Sequence, residues 1–224
     1  MRNVTHHALR ILATISLVLL VGCGPGAPVD AARPTMVLAA DDASLPLAES
    51  LLNSYESLHP DALLSLQPAS RERALAAVDG GEADVALVLH PLDSEGFFHT
   101  PVARELLVLV VHPDVAVESL NRRDVRAIFA GQIGRWPAPE DSPPLAVQPV
   151  VTEEGSSLRL ALDSLLLGGQ PVTASALVAA DAQQAVALVG ETPGAVGLTT
   201  GGLLDERVRA VAYDQAAPTL TRAS

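Results

Sequence analysis

Apolar runs of strand length alternate with segments of helical periodicity along most of this chain. The run from Leu106 to Val111 has the length and the branched side chains of a strand that is buried on both faces. After Ser44, apolar residues recur at steps of three and four as far as Leu58, which predicts an amphipathic helix. Alternation of such strands and helices is typical of an α/β fold.

The remaining elements and their ends follow from the same pattern. Ser119 is predicted to cap a helix that ends at Phe129, and Ser70 is predicted to cap another helix. Gly131 is expected to end a helix in the left-handed conformation, and Gly168 is expected to end another helix. Further strands are expected at residues 35–40, 61–67, 145–151, 195–198 and 208–212.

The amino terminus has the pattern of a targeting segment. Arg2 and Arg10 make its start basic, and residues 11–21 form an apolar core that is too short to span a bilayer. The tetrapeptide that ends at Cys23 resembles the lipobox of bacterial lipoproteins, in which the cysteine is acylated and becomes the first residue of the mature protein. An ordinary secretory signal with a chance cysteine is the alternative.

We therefore expect a lipoprotein signal peptide at residues 1–22 and lipidation at Cys23. Residues 23–34, rich in Gly, Pro and Ala, read as a tether. Two or three acyl chains would hold the protein stably on a membrane. The expected location is extracytoplasmic, anchored by lipid to the bacterial cell membrane.

Charge and cysteine content narrow the possible functions. The chain has 224 residues and a formal net charge of −12, and loss of the leader, which carries two arginines and no acid, changes this charge to −14. No basic residues are clustered enough to follow a phosphate backbone, which argues against nucleic-acid binding. A single cysteine excludes an internal disulfide, and the histidines have no metal-ligand spacing, so we expect neither a metal nor a cofactor.

Several phrases of the sequence carry a resemblance to a known family. Residues 128–136 read IFAGQIGRW, residues 82–92 read EADVALVLHPL, and residues 192–198 read TPGAVGL. In this order the phrases resemble the PstS-like periplasmic phosphate-binding proteins of ABC importers. The resemblance extends from about Thr35 to Thr219.

This resemblance implies a two-lobed periplasmic-binding-protein-like fold of type II, with mixed sheets flanked by helices. The first lobe would comprise residues 35–101 plus 194–224, and the second lobe residues 102–193. Family members continue into a terminal strand and helix, so the fold is expected to be trimmed at its carboxyl terminus. Such lobes close on a ligand by hinge motion.

The resemblance also implies an anion site at three strand-to-helix turns, where backbone amides and hydroxyl groups bind an oxyanion. Capping alone is the alternative role for the serines, and a solvated side chain is the alternative for the arginine. The candidate ligand-binding residues are Ser44, Ser70, Glu154, Ser156, Ser157 and Arg159.

The sequence departs from the family pattern at three positions of this site. Leu89 stands where relatives place a polar group, Thr152 where they place an arginine, and Leu158 where they place a threonine. His90 could supply a replacement donor or could simply face solvent. These departures weaken the expected anion site.

Two functions remain open at this point. The first is a lipid-anchored, monomeric solute-binding protein that delivers a small oxyanion, with phosphate as the family default, to an ABC permease. The second is a degenerate module without anion affinity that acts as an adaptor or sensor for another protein. No enzyme is expected, because the serines lack a Gly-x-Ser-x-Gly elbow and no catalytic triad order is recognisable.

Overall fold

The computed structural model describes residues 35–89, 96–138 and 143–214. The predicted leader, the tether, Cys23 and His90 lie outside the described residues. Within the described part, five α-helices flank two β-sheets, so the expected α/β fold with mixed sheets is confirmed.

The smaller sheet is parallel and has the strand order β2-β1-β3. Its strands are β1 (Thr35–Asp41), β2 (Leu63–Ala69) and β3 (Val85–Leu87). Helices cover both faces: α1 (Leu45–Leu58) packs on one face, and α2 (Arg71–Asp79) packs on the other. Residues of β1 point alternately to the two helices, because successive strand side chains face opposite ways.

The larger sheet has six strands in the order β5-β9-β4-β8-β6-β7. β4 is antiparallel to β8 and β9, whereas β6 is parallel to β7 and β8. The strands are β4 (Leu107–Val111), β5 (Ser119–Leu120), β6 (Gln148–Thr152), β7 (Leu177–Ala179), β8 (Ala195–Thr200) and β9 (Arg209–Tyr213).

Three helices and two short turns of helix accompany this sheet. They are α3 (Arg122–Phe129), α4 (Ser157–Ala161) with the π-helical Leu162–Leu167, the 3-10 turn Gly201–Leu203, and α5 (Ala182–Glu191). In the described residues, no helix has the length and hydrophobicity required to cross a membrane.

Burial on both faces of β4 is confirmed. Leu109 and Val111 pack into a core that includes residues of α3 and α4, whereas Val108 and Val110 pack with residues of α5 on the opposite face. Phe129 is fully buried in the first of these cores. Two-sided burial is the reason that β4 is a continuous apolar run rather than an alternating one.

The pairing of β8 and β9 bears on the expected lobes. Both strands lie within residues 194–224, which the sequence assigns to the first lobe, but they pair with strands of the six-stranded sheet. The smaller sheet therefore contains only strands from residues 35–89. The lobe boundaries stay a prediction, because strand pairing alone does not define where a chain divides.

The predicted cap of α3 is wrong by two residues. Ser119 lies in β5, where it pairs with Ala212, and the helix begins after Asn121. The Asn121 side chain accepts from the N–H of Asp124 at 3.0 Å, and the Asp124 side chain accepts from the N–H of Asn121 at 3.4 Å. By contrast, the helix ends predicted at Gly131 and Gly168 are confirmed, and both glycines are left-handed, with φ angles of 73° and 60°.

Replacement of Asn121 by alanine should destabilise the protein by about 0.5–2 kcal/mol, because the N–H of Asp124 in the first turn of α3 loses its acceptor. The matched control is Ser119→Ala at the predicted cap, and this exposed position should change stability by less than about 0.5 kcal/mol. Urea unfolding of both variants measures the difference. Equal effects would show that Asn121 does not cap the helix.

Candidate functional site around Asp41

A buried aspartate lies at the carboxyl end of β1. Asp41 has no solvent exposure, although aspartate is rarely buried without a partner. Its Oδ1 accepts from the N–H of Ser44 at 2.9 Å, and its Oδ2 accepts from the N–H of Leu89 at 3.1 Å. Oδ2 also accepts from Oγ of Ser157. We call Asp41, Ser44, Leu89 and Ser157 the carboxylate junction.

Donors to the carboxylate junction come from both sheets. Leu89 follows β3 of the smaller sheet, and Ser157 begins α4, directly after the turn that follows β6 of the larger sheet. Ser157 has no solvent exposure. The carboxylate of Asp41 thus connects the ends of β1 and β3 in the smaller sheet to the first turn of α4, which follows β6 of the larger sheet.

The turn from β1 to α1 explains how Asp41 receives the amide of Ser44. Ser44 is at the cap position of α1, but its side chain makes no capping hydrogen bond. The Asp41 side chain instead accepts the Ser44 N–H, and the carbonyl oxygen of Asp41 accepts the same N–H at 3.0 Å. Ala43 packs into the core of the larger sheet and fixes the turn there.

A second acid of this turn makes another link to the larger sheet. Oδ2 of Asp42 accepts from the N–H of Ala182, the first residue of α5, at 2.6 Å. Burial raises the pKa of Asp42 above its usual range, and the negative charges of Asp41 and Asp181 add to this effect. The hydrogen bond from Ala182 acts in the opposite direction and lowers the pKa.

We expect Asp42→Asn to stabilise the protein at neutral pH. Asparagine keeps an acceptor for the Ala182 N–H and removes the buried charge. Because the folded-state pKa of Asp42 is raised, wild-type stability recovers as the pH falls through that value. The advantage of the variant should therefore vanish below pH 3.8, the ordinary pKa of an aspartate, which Asp42 has in the unfolded chain. Thermal unfolding across pH measures this trend, and an advantage that grows on acidification would contradict it.

The candidate cation of the site is already paired. Nε of Arg159 lies 3.1 Å from both carboxylate oxygens of Asp163, and its NH2 group lies 3.8 Å from Oε1 of Glu154. The Arg159 side chain is 13% exposed, whereas that of Glu154 is 91% exposed. Two carboxylates thus neutralise this guanidinium, and Glu154 faces solvent.

Ser156 caps the start of α4. Its Oγ accepts from the N–H of Arg159 at 3.3 Å and donates to Oγ1 of Thr152 at 2.6 Å. Leu158 is 2% exposed and packs in the core of the larger sheet. The residues that replace the family arginine and threonine therefore have structural partners of their own.

The start of α2 approaches the same region. Ser70 caps α2, as predicted, by accepting from the N–H of Arg73 at 3.4 Å. Glu72, in the first turn of α2, lies close to the turn between β6 and α4. Its Oε1 would be 3.0 Å from a Cβ atom added to Gly155 in that turn. Gly155 has a φ angle of 84°, which suits glycine.

The structure thus brings together the three predicted turns but gives their side chains different tasks. Ser157 donates its hydroxyl to Asp41, whereas Ser44 contacts Asp41 through its backbone N–H. Ser156 contacts Thr152, whereas the hydroxyl of Ser70 contacts only its own helix among the described residues. Glu154 and Arg159 pair with each other at the rim.

Two groups of the carboxylate junction were not predicted from the sequence. Leu89 was expected to remove a donor, and its side chain cannot donate, but its backbone N–H does donate to Asp41. Asp41 itself was not singled out. The available signal was a pair of acids directly after a strand, at the edge where parallel strands of α/β folds bind ligands.

Other candidate sites are weak. In the three described ranges, no group of three or more His, Cys, Asp and Glu side chains is placed to hold a metal ion. A shallow surface depression of about 810 Å³ lies along α3 and includes Arg122, Arg123 and Arg126. None of the six candidate ligand residues lines it.

The comparisons with known proteins agree with this fold. The family model described as "PBP superfamily domain" matches residues 25–217. The phosphate-binding protein PstS of Bacillus subtilis is 24% identical over 198 residues, which are 84% of this chain and 64% of that protein. The chain therefore spans just under two thirds of the length of this relative.

Two solved structures share the fold. A phosphate ABC transporter substrate-binding protein from Clostridium perfringens, with bound phosphate, has a TM-score of 0.76 and 18% identity over 83% of this chain and 78% of its own. An ABC-type phosphate transport receptor from Vibrio cholerae has a TM-score of 0.62 and 24% identity over 82% and 78%. Because the family model matches most of its length, the chain belongs to the PBP superfamily.

Proposed function

We propose that this protein is the solute-binding component of an ABC importer and that it binds a small oxyanion, with phosphate as the first candidate. The similarity to PstS of Bacillus subtilis and to two phosphate-binding transport proteins supports this proposal. We further propose that Cys23 carries a lipid that anchors the protein outside the cytoplasm, and that the protein acts as a monomer. The function includes no catalytic step.

The similarity to phosphate-binding proteins carries the proposal, and we assign the anion site to the donors of the carboxylate junction. Two backbone amides and one hydroxyl, from segments that follow β1, β3 and β6, converge on the two oxygens of one carboxylate. Phosphate and related ions present similar oxygens to their donors. Neutral, fixed donors of this kind bind an oxyanion without bulk counter-charge.

Negative charges around the proposed site oppose the binding of an anion. Arg159 is neutralised by Glu154 and Asp163, and Glu72 lies beside Gly155, so acids surround the proposed site. Phosphate would need to enter this acidic neighbourhood and take the donors that Asp41 now holds. We therefore expect weaker phosphate binding than a site with a free arginine would give.

Thermal unfolding of the mature protein with phosphate, sulfate, arsenate and molybdate tests the proposal. A ligand at a hundred times its Kd should add about 2.7 kcal/mol to the free energy of unfolding. For a chain of this size that corresponds to a rise in Tm of about 5–11 °C. Chloride at matched ionic strength is the control, because general salt effects would act without saturation.

One variant pair makes this test specific. Ser157→Ala removes a donor of the junction, and it should abolish most of any phosphate-dependent rise in Tm. Ser54→Ala changes an exposed serine of α1 and should leave the rise intact. A rise that both variants retain would place the ligand elsewhere on the protein.

The second candidate function is an adaptor or sensor that recognises another protein and has no anion affinity. The specific observation in its favour is that Asp41 already satisfies the three donors of the junction. No change of Tm with any of the four oxyanions would favour this function over transport.

A further inference from the structure

Asp41 makes the contacts that an external anion would be expected to make in the proposed site. Its two oxygens accept three hydrogen bonds, and a carboxylate offers about four acceptor positions. The side chain has no solvent exposure. The donors lie 3, 48 and 116 residues away along the chain, so Asp41 joins its own turn to two distant segments.

An external oxyanion and Asp41 compete for the same protons. The N–H of Leu89 and the hydroxyl of Ser157 each have one proton to donate, and both protons are directed at Oδ2 of Asp41. A second anion beside this carboxylate would also meet the charge of Asp42, which is held by Ala182 on the other side of the turn. Like charges in such a buried position disfavour each other strongly.

We propose that Asp41 is an internal anionic ligand: its carboxylate occupies the oxyanion position, holds the smaller sheet against the larger one through Ser157, and lowers the affinity for external oxyanions. This inference rests on the proposed function, because it assigns the same donors to solute binding. It makes Asp41 the residue that determines whether and how tightly the site accepts a solute.

Removal of the carboxylate should create a site for small anions. In Asp41→Ala, the two amides and the hydroxyl lose their acceptor and the space of one carboxylate opens. We expect the variant to have a lower Tm than the wild type. Formate or acetate should then raise its Tm saturably, because either ion supplies the missing carboxylate. Phosphate should bind the variant at least tenfold more tightly than it binds the wild type.

The control variant loses an exposed carboxylate that accepts a single backbone hydrogen bond in the smaller sheet. Asp84 accepts from the N–H of Val37 at 2.8 Å at an exposed position just before β3. Asp84→Ala should lower the Tm without any saturable recovery in formate or acetate, because the position is open to water. Sodium chloride at equal ionic strength is added to every series.

A second variant covers the case in which Asp41→Ala does not fold. Asp41→Ser keeps one short acceptor in the turn and still leaves room for part of an anion. Folding of either variant only in the presence of formate, acetate or phosphate would support the inference. If both variants fail to fold even with about 100 mM of these anions, the inference is overturned, because an external anion should be able to replace an internal ligand.

Comparison of wild type and Asp41→Ala by isothermal titration with phosphate separates this inference from the proposed function. Weak binding by the wild type and at least tenfold tighter binding by the variant support both. Binding only by the variant supports the internal ligand and removes the transport role of the wild-type site. Equal affinities leave the transport proposal standing and overturn the internal ligand, and absence of binding by both proteins overturns both proposals.

Discussion

Replacement of Gly194 by alanine should cost about 3 kcal/mol or more in the free energy of unfolding. Gly194 is buried directly before β8 and has a φ angle of 80°. An added Cβ would overlap the backbone carbonyl oxygen of Ala146. The Gly194 carbonyl also accepts from Nε1 of Trp136 at 2.7 Å and from the N–H of Gln148 at 3.1 Å, so any shift disturbs two further bonds.

The matched control for this change is Gly169→Ala. Gly169 has a similar φ angle of 87°, but a Cβ there would meet nothing within 4 Å. The control should therefore show only the cost of the left-handed conformation, about 1–2 kcal/mol. The difference between the urea unfolding midpoints of the two variants measures the steric contribution to the loss of stability. Equal losses of stability would mean that the backbone around Gly194 moves to accommodate the Cβ atom without a steric penalty.

Phe129→Ala should destabilise the protein by about 3–5 kcal/mol, because it leaves a large cavity in the main core. Phe129 has no solvent exposure, and its cluster contains Leu158 of α4 and Ala43 of the β1–α1 turn. For a chain of this size the fall in Tm should be about 6–20 °C. Calorimetry measures both the fall and any loss of cooperativity.

An exposed phenylalanine supplies the control for this second change. Phe98 is 97% exposed, so Phe98→Ala should alter the free energy of unfolding by less than about 0.5 kcal/mol. A loss below about 1 kcal/mol for Phe129→Ala would show that the core relaxes around the deleted ring. Because Ala43 and Leu158 share that core, the larger loss should also weaken the bond between Asp41 and Ser157.

The resemblance to phosphate-binding proteins predicted the fold, whereas the hydrogen bonds at the proposed site could not be predicted from it. The turns after β1 and β6 both contact Asp41, through the N–H of Ser44 and the hydroxyl of Ser157, and their role in anion binding stays a prediction. The acceptor between them is a side chain of the protein itself, and the cation at Arg159 is paired with acids. A shared fold leaves such substitutions open, since function depends on the site.

Local signals in the sequence were sufficient wherever the deciding interaction spans a few residues. Ser70 caps α2 through a bond to Arg73, three residues on, and Gly131 and Gly168 end helices because their backbone must turn left-handed. The apolar run that forms β4 needed only its own composition to indicate burial on both faces. Fold class and element order follow from such patterns.

Only the tertiary structure decided the cap of α3 and the state of the candidate site. Ser119 is a good cap by type, but pairing of β5 with β9 near Ala212 holds it in a strand and leaves the cap to Asn121. Asp41 meets Leu89 and Ser157, and Asp42 meets Ala182, across 48, 116 and 140 residues. Over such separations, spacing along the sequence does not indicate which residues are close in space. The packing of the two sheets determines which donors reach a buried carboxylate.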